Sequence, residues 1–278
     1  MLRVSSRNAR FQQWQALLNS RAKRQRAGEF LVQGVRPITL AAQAGWPFRA
    51  LIHDPGRPPS GWAAGLLRRF GDVQVAMTAE LLAELGEKDD ADPPELVAVV
   101  AMPADDLDRI PAGPDFLGLV LDRPASPGNL GSIVRSADAF GADGVIVAGH
   151  AADVYDPKAV RASTGSLFGL PVVRAPSPRE VAAWIDAQRD RGRRLVLAGT
   201  DEHGDRDVFD ADLTGPVLLL IGNEASGLSA GWREQCDLLV RIPITGTASS
   251  LNAANAATAV LYEASRQRRT SRRLGAQR

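Results

Sequence analysis

Cysteine is nearly absent from this chain of 278 residues. Cys236 stands alone, which excludes an internal disulfide and a cysteine-based metal site; it is expected to pack as a small hydrophobe. Histidine is almost as scarce. His53, His150 and His203 lie too far apart to show a metal-ligand spacing, so no resident metal is expected. No apolar run is long enough to cross a bilayer. The arginine-rich amino terminus lacks the apolar segment of a signal peptide, so a cytoplasmic protein is expected. No G-x-G-x-x-G follows a strand and no G-x-x-x-x-G-K-[ST] occurs, which argues against a Rossmann-type dinucleotide enzyme and a P-loop nucleotidase.

A one-sided charge is missing too, since the formal net charge is only +1. The charge is unevenly spread, however. Arg3, Arg7, Arg10, Arg21, Lys23, Arg24, Arg26 and Arg36 face one nearby acid, Glu29, and flank Phe11 and Trp14. This cluster is expected to contact RNA. Arg266, Arg268, Arg269, Arg272 and Arg273 form a second cluster, which suits either phosphate contact or a solvated surface. Residues 80–108 are acidic and offset both.

The length suits two domains. Alternating short elements fill the first hundred residues. Helices are expected at 11–18, 37–44, 62–70 and 78–85, the last capped by Thr78, and strands at 30–33, 49–53, 73–76 and 96–101. Residues 103–115, rich in Pro and Asp, read as a linker between a domain at 1–102 and another at 116–278.

Three segments of the second domain carry the chemistry. In the first, the apolar run 116–121 predicts a buried parallel strand. Pro127 and Gly128 then make a turn, and Ile133, Val134, Ala137 and Phe140 mark a helix ended by Gly141. Arg135 is expected in the first turns of that helix, where its charge opposes the helix dipole and needs another partner. In the second, the strand 217–221 runs into Gly222-Asn223-Glu224. Gly222 lets backbone amides face a ligand, and Glu224 either fixes the loop or holds that ligand. In the third, a strand at 238–244 leads to Ser249-Ser250-Leu251-Asn252 and a helix opening with Ala253, Ala254, Ala256, Ala257 and Ala259. The serines are expected to cap that helix, and the alanines to admit a ligand or another backbone against it.

In this order the segments resemble the signature motifs of the SpoU (TrmH) branch of the SPOUT RNA methyltransferases. Asn129, Gly131 and Arg135 match the first motif, Gly222, Asn223, Glu224, Gly227 and Leu228 the second, and Ile242, Pro243, Gly246, Ser250, Leu251 and Asn252 the third. Residues 160–168 and 28–36 also resemble the family. Passages 6–14 and 149–157 are similar to its 23S rRNA uridine 2′-O-methyltransferases from antibiotic-producing actinobacteria.

The resemblance implies an α/β fold: a SPOUT-type parallel sheet with a carboxyl-terminal deep trefoil knot, plus a smaller amino-terminal L30e-like RNA-binding domain. It implies S-adenosylmethionine as cofactor, contacted by Leu220, Ile221, Gly222, Asn223, Ile242 and Leu251. The catalytic set it implies is Arg135, Asn129, Glu224, Ser250 and Asn252, with a homodimer and RNA, 23S rRNA first, as partners. The reaction would be in-line methyl transfer to a ribose 2′-oxygen held about 3 Å from the methyl carbon. A guanidinium stays protonated at neutral pH, so Arg135 suits stabilisation of a developing alkoxide better than proton abstraction. The alternatives are the same chemistry on tRNA or a housekeeping rRNA site, and a non-catalytic RNA-binding assembly protein on the same fold.

Overall fold

The computed structural model describes residues 1–86 and 93–275; residues 87–92 of the acidic stretch lie outside the described residues. The chain divides into two compact units. One comprises Met1–Pro103 together with Tyr155–Gly169, the other Ala104–Val154 and Leu170–Arg278.

The first unit contains β1 (Leu2–Val4), α1 (Ala9–Asn19), α2 (Arg21–Ala27), β2 (Glu29–Gln33), α3 (Val35–Gln43), β3 (Phe48–His53), α4 (Gly61–Arg69), β4 (Gln74–Met77), α5 (Ala79–Leu85) and β5 (Leu96–Ala101). The strands form a mixed sheet in the order β1-β4-β3-β5-β2. Alternate residues of β3 and β5 bury both faces. One core gathers Phe11, Trp14 and Leu17 of α1 with Ile52, Val97, Val99 and Leu82. Phe11 and Trp14, which flank the basic cluster in sequence, are therefore core residues, 0% and 4% exposed. Elsewhere in the unit Phe30 meets Trp46 and Tyr155 at centroid distances of 6.0 and 4.7 Å. Trp46 Nε1 donates to the carbonyl of Phe168 at 3.1 Å. Thr78 sits at the N-cap of α5, but its side chain accepts no capping bond.

The second unit contains β6 (Leu117–Asp122), α6 (Pro127–Ala139), β7 (Gly144–Ala148), β8 (Val172–Ala175), α8 (Pro178–Asp190), β9 (Val196–Thr200), β10 (Arg206–Asp207), β11 (Val217–Ile221), α9 (Ala230–Gln235), β12 (Leu238–Arg241) and α10 (Ala253–Gly275); α7 (Pro157–Ala162) belongs to the first unit. Seven strands, all parallel, run β10-β12-β9-β11-β6-β7-β8. Their apolar runs are buried on both faces, as parallel strands require. Val120, Ile146, Leu218 and Leu220 pack with Val181, Trp184 and Ile185 of α8 and Trp232 of α9. Helices α6 and α10 pack on each other and contact β7 and β11. The chain adds β7 and β8 on one side of β6, and later β11 on its other side. This reversal makes a topological switch between β6 and β11, where crevices open at the carboxyl ends of strands.

Several local expectations change in this unit. Pro127 and Gly128 do not form a free turn: they open α6, with Ser126 Oγ accepting the Asn129 N–H at 3.3 Å. Proline fits the first helical position because it has no N–H to leave unpaired. The strand expected to reach Ile244 stops at Arg241. Ser249 and Ser250 do not cap α10. Asn252 does, its Oδ1 accepting the N–H groups of Ala254 and Asn255 at 2.9 and 3.4 Å. Asn252→Ala is expected to lower stability by about 1 kcal/mol, seen as a melting shift of roughly 2–4 °C in a calorimetric scan.

The carboxyl-terminal arginines are mostly engaged in structure. Arg266 pairs with Glu263 at 2.7 Å, and Arg272 with Asp115 at 3.1 Å. Arg268 donates to the carbonyls of Leu213, Asp115, Phe116 and Gly215, tying α10 to the loops that feed β6 and β11. Cys236 is partly buried in the core, as a small hydrophobe. Burial, with the charge of Asp237, pushes its thiol up to about 11, which removes it as a nucleophile near neutral pH.

Candidate active site

Three strand ends and the start of α10 converge on one cavity of about 310 Å³. Ile221 and Gly222 come from the end of β11, and Thr200, Asp201 and Glu202 from the end of β9. Ile242 and Ile244 follow β12, and Ser249, Ser250 and Leu251 lead into α10. Ala253 and Ala256 of α10 also line it, so part of the alanine face does open onto a cavity. Ala254 and Ala257 are buried instead. Thr258 and Tyr262 meet α6, through Ser136 Oγ at 2.7 Å and through the Phe140 ring at 5.9 Å.

The loop after β11 is tightly closed. Asn223 and Gly227 exchange backbone bonds of 3.0 Å in both directions. Asn223 Oδ1 accepts from the N–H groups of Ala225 and Ser226, and its Nδ2 donates to the carbonyl of Arg123 at 2.7 Å. Gly222 is forced by space. A Cβ there would lie 2.5 Å from the Gly227 carbonyl carbon and 2.7 Å from the Leu228 nitrogen, both backbone atoms that cannot yield. Gly222→Ala is expected to destabilise the protein by about 1–3 kcal/mol and to open this loop; thermal unfolding and donor titration would read both.

Glu224 joins this loop to α6. Its Oε2 accepts the Ala125 N–H at 2.9 Å, and its Oε1 accepts from the Ser126 N–H at 3.2 Å and Asn129 Nδ2 at 3.1 Å. Asn129 Oδ1 then accepts from Asn252 Nδ2 at 3.2 Å, and Asn252 caps α10. One relay, Glu224–Asn129–Asn252, thus ties together the three segments singled out in the sequence. Partial burial alone would raise the Glu224 carboxyl. The bonds from backbone N–H groups and from Asn129 outweigh it and hold the group below its ordinary value. Of the two roles open for Glu224, the geometry displays the loop-fixing one, although its side chain also lines the cavity.

At the end of β6, Asp122 is buried and bound twice by the Arg123 guanidinium, at 2.9 and 3.0 Å. The Ser229 N–H donates to the same carboxylate at 3.3 Å.

Not every expected residue reaches the cavity. Gly222, Asn223, Ile221, Ile242, Ser250, Leu251 and Glu224 line it. Leu220 does not: its side chain is buried in the sheet and its carbonyl accepts from Thr200 Oγ1 at 3.0 Å. Arg135 lies on the third turn of α6, later than the first turns expected, because the helix starts at Pro127. It is exposed, outside the cavity lining, and makes no hydrogen bond or ion pair among the described residues. The sequence reading missed Thr200, Asp201, Glu202 and Arg233, of which Asp201 and Arg233 pair at 2.8 Å. A signal exists for Thr200, since β9 ends there and the crevice of a parallel sheet gathers successive strand ends; none marks the Asp201–Arg233 pair.

Comparison with known proteins is consistent with this geometry. A family profile described as the SpoU rRNA methylase family matches residues 117–262, and one described as the SpoU L30e-like domain matches residues 8–98. The chain is 67% identical to the 23S rRNA (uridine(2479)-2′-O)-methyltransferase of Streptomyces viridochromogenes, over 97% of this chain and 94% of that one. It matches the crystal structure of the SpoU methyltransferase AviRb from that organism in complex with AdoMet, with a TM-score of 0.92 at 68% identity, covering 95% of this chain and 99% of the other. An AdoMet-bound rRNA methyltransferase from Sinorhizobium meliloti matches with a TM-score of 0.83 at 29% identity, covering 95% and 97%.

Proposed function

The chain belongs to the SpoU rRNA methylase family, and from that premise we infer that it is a ribose 2′-O-methyltransferase of 23S rRNA, dependent on S-adenosylmethionine and acting on a uridine. The observation that carries this reading is the Glu224–Asn129–Asn252 relay, which ties the first motif segment to the second and third, the two that wall the cavity, although Asn129 and Asn252 themselves do not line it. The cavity fits the cofactor. Ile221, Ile242, Ile244 and Leu251 offer apolar walls, Gly222 leaves backbone groups uncovered, and the volume matches a small-molecule site. Bound there, S-adenosylmethionine supplies an electrophilic methyl group on a sulfonium.

The chain's own residues do the rest. The loop 222–227 and the segment 242–251 wall the cavity and exclude water. Glu224 fixes the start of α6, and with it the direction in which Arg135 projects. Arg135 presents its fork of N–H donors to the ribose oxygen and a neighbouring phosphate as charge develops. Because Arg135 stands outside its own cavity, it completes the site of a second copy in a homodimer. Tyr262, 57% exposed on the helix that packs against α6, gives apolar surface for such a contact. The segment around β12 is threaded as a trefoil knot. The close approach at Gly204, where a Cβ would lie 2.5 Å from the Val240 carbonyl carbon, suits such a passage.

The enzyme works in the cytoplasm, and the methylated ribose protects the ribosome against an antibiotic that binds there. The first unit grips RNA. Purified protein given S-adenosylmethionine labelled in its methyl group should label 23S rRNA at one ribose, located by resistance to alkaline cleavage. Label in tRNA alone would favour the tRNA reading. No label and no donor binding would favour the non-catalytic one.

A further inference from the structure

We propose that the groove between α1 and α2 is a phosphodiester-binding surface for the substrate RNA; this rests on the functional reading above and deepens it. The groove measures about 710 Å³ and belongs wholly to the first unit. Arg10, Gln12 and Gln13 line one wall, and Lys23 and Arg26 the other. Glu29 is the one carboxylate among the lining residues. Lys23 and Arg26 stand three residues apart on α2, and Arg10 and Gln13 three apart on α1. Each pair therefore shares a helix face and offers polar groups roughly 5–6 Å apart at their roots.

The pattern of pairing separates this groove from ordinary surface charge. Arg7 is tied to Glu84. Arg24, on the same helix as Lys23 and Arg26, is 2% exposed. It donates to the carbonyls of Leu17 and Leu18 and lies 3.5 Å from Asp156. Arg24 thus locks α2 onto the end of α1 and fixes the width of the groove. Lys23 and Arg26 point away from that lock. Neither side chain has a hydrogen-bond or ion-pair partner among the described residues, and both are exposed. Arg10 lies over the Trp14 ring at 5.9 Å and reaches Gln13 at 3.4 Å.

The chemistry of the groove selects the phosphate backbone. Trp14 is nearly buried, so no aromatic face is free to stack on a base. What remains is a rigid trough with two cations on one wall and Arg10 with amide groups on the other, none of the three cations paired with a carboxylate among the described residues, suited to tracking charge without reading sequence. Recognition here is by backbone shape, as folded RNA allows.

The test uses the full chain carrying Lys23→Gln and Arg26→Gln together. Arg68→Gln serves as control, an exposed arginine on α4 of the same unit and outside the groove. Affinity for a 23S rRNA transcript, and for an unrelated transcript of equal length, is measured across a salt series. The double variant should bind both about tenfold more weakly, with a plot of log affinity against log salt shallower by roughly 1.5. KM for RNA should rise while kcat at saturating RNA and donor affinity stay unchanged. Wild-type affinity and slope in the double variant would overturn the proposal, as would an equal loss in Arg68→Gln. A loss seen only on ribosomal particles and not on naked RNA would point to an acidic protein surface and overturn it as well. If the unaltered protein neither bound nor methylated rRNA, the functional reading would fall first and take this one with it. An active enzyme indifferent to the double substitution would sink the groove alone.

Discussion

Arg135→Lys is expected to lower turnover at least about a hundredfold while leaving donor affinity unchanged. Lysine keeps the charge but not the planar fork that meets two oxygens at once. The residue is exposed and outside the cavity lining, so the substitution should leave the fold and the donor pocket intact. Its position also gives a sharper test. A donor-dead Gly222→Leu protein and an Arg135→Ala protein would each be inactive alone. Mixed and reassembled, they should regain about a quarter of wild-type activity, because half the dimers are then heterodimers with one complete site. Near-normal turnover by Arg135→Lys would remove the guanidinium from the mechanism. Heterodimers with no regained activity would confine each site to one subunit.

Glu224→Ala is expected to reduce kcat/KM about a hundredfold. A hydrogen bond to a charged group contributes about 1.5–3 kcal/mol. The lower value applies to this exposed carboxylate, which accepts two backbone N–H groups and an Asn129 amide. The two backbone bonds alone amount to about 3 kcal/mol. Steady-state kinetics over a range of donor concentrations would measure the loss, and an effect under about threefold would reduce Glu224 to a bystander. The same group sets a dependence on acidity. Its carboxyl is held below the ordinary value by those bonds. A depressed carboxyl stabilises the folded loop fully above the pKa it has when unfolded, and that contribution fades as pH falls through the folded value. Donor affinity should therefore be flat around neutrality and in mild acid, and fall only once pH drops below the ordinary carboxylate range. In Glu224→Ala this acidic fall should be missing.

The strands and most helices were legible because their apolar periodicity reports burial directly. The β5 limits expected from sequence, 96–101, match the observed strand. The short arginine-rich α2 was missed, since its helical face is held by one buried arginine and not by apolar residues. The cap of α10 was misread for a related reason. Serine and asparagine cap about equally well, and only the need of Asn129 for a partner selects Asn252. At the cavity, the motif residues could be named from the sequence, but Asp201 and Arg233 could not. Their pairing joins the β9 and α9 regions, and no spacing along the chain announces it. Reading Pro127 as a turn puts Arg135 in the first turns of α6; counted from Pro127 as the first helical residue it stands in the third turn.

Residues 155–169 contain one further lesson. They pack with the first unit although the chain on both sides belongs to the second. Phe168 and Tyr155 stand against Trp46 and Phe30 there. A gene fragment ending near Pro103 would strip those rings of their covering and leave a greasy scar on the truncated product. Neither half of this polypeptide is a cassette that recombination could trade freely, so new RNA targets are more easily reached by altering side chains than by swapping modules.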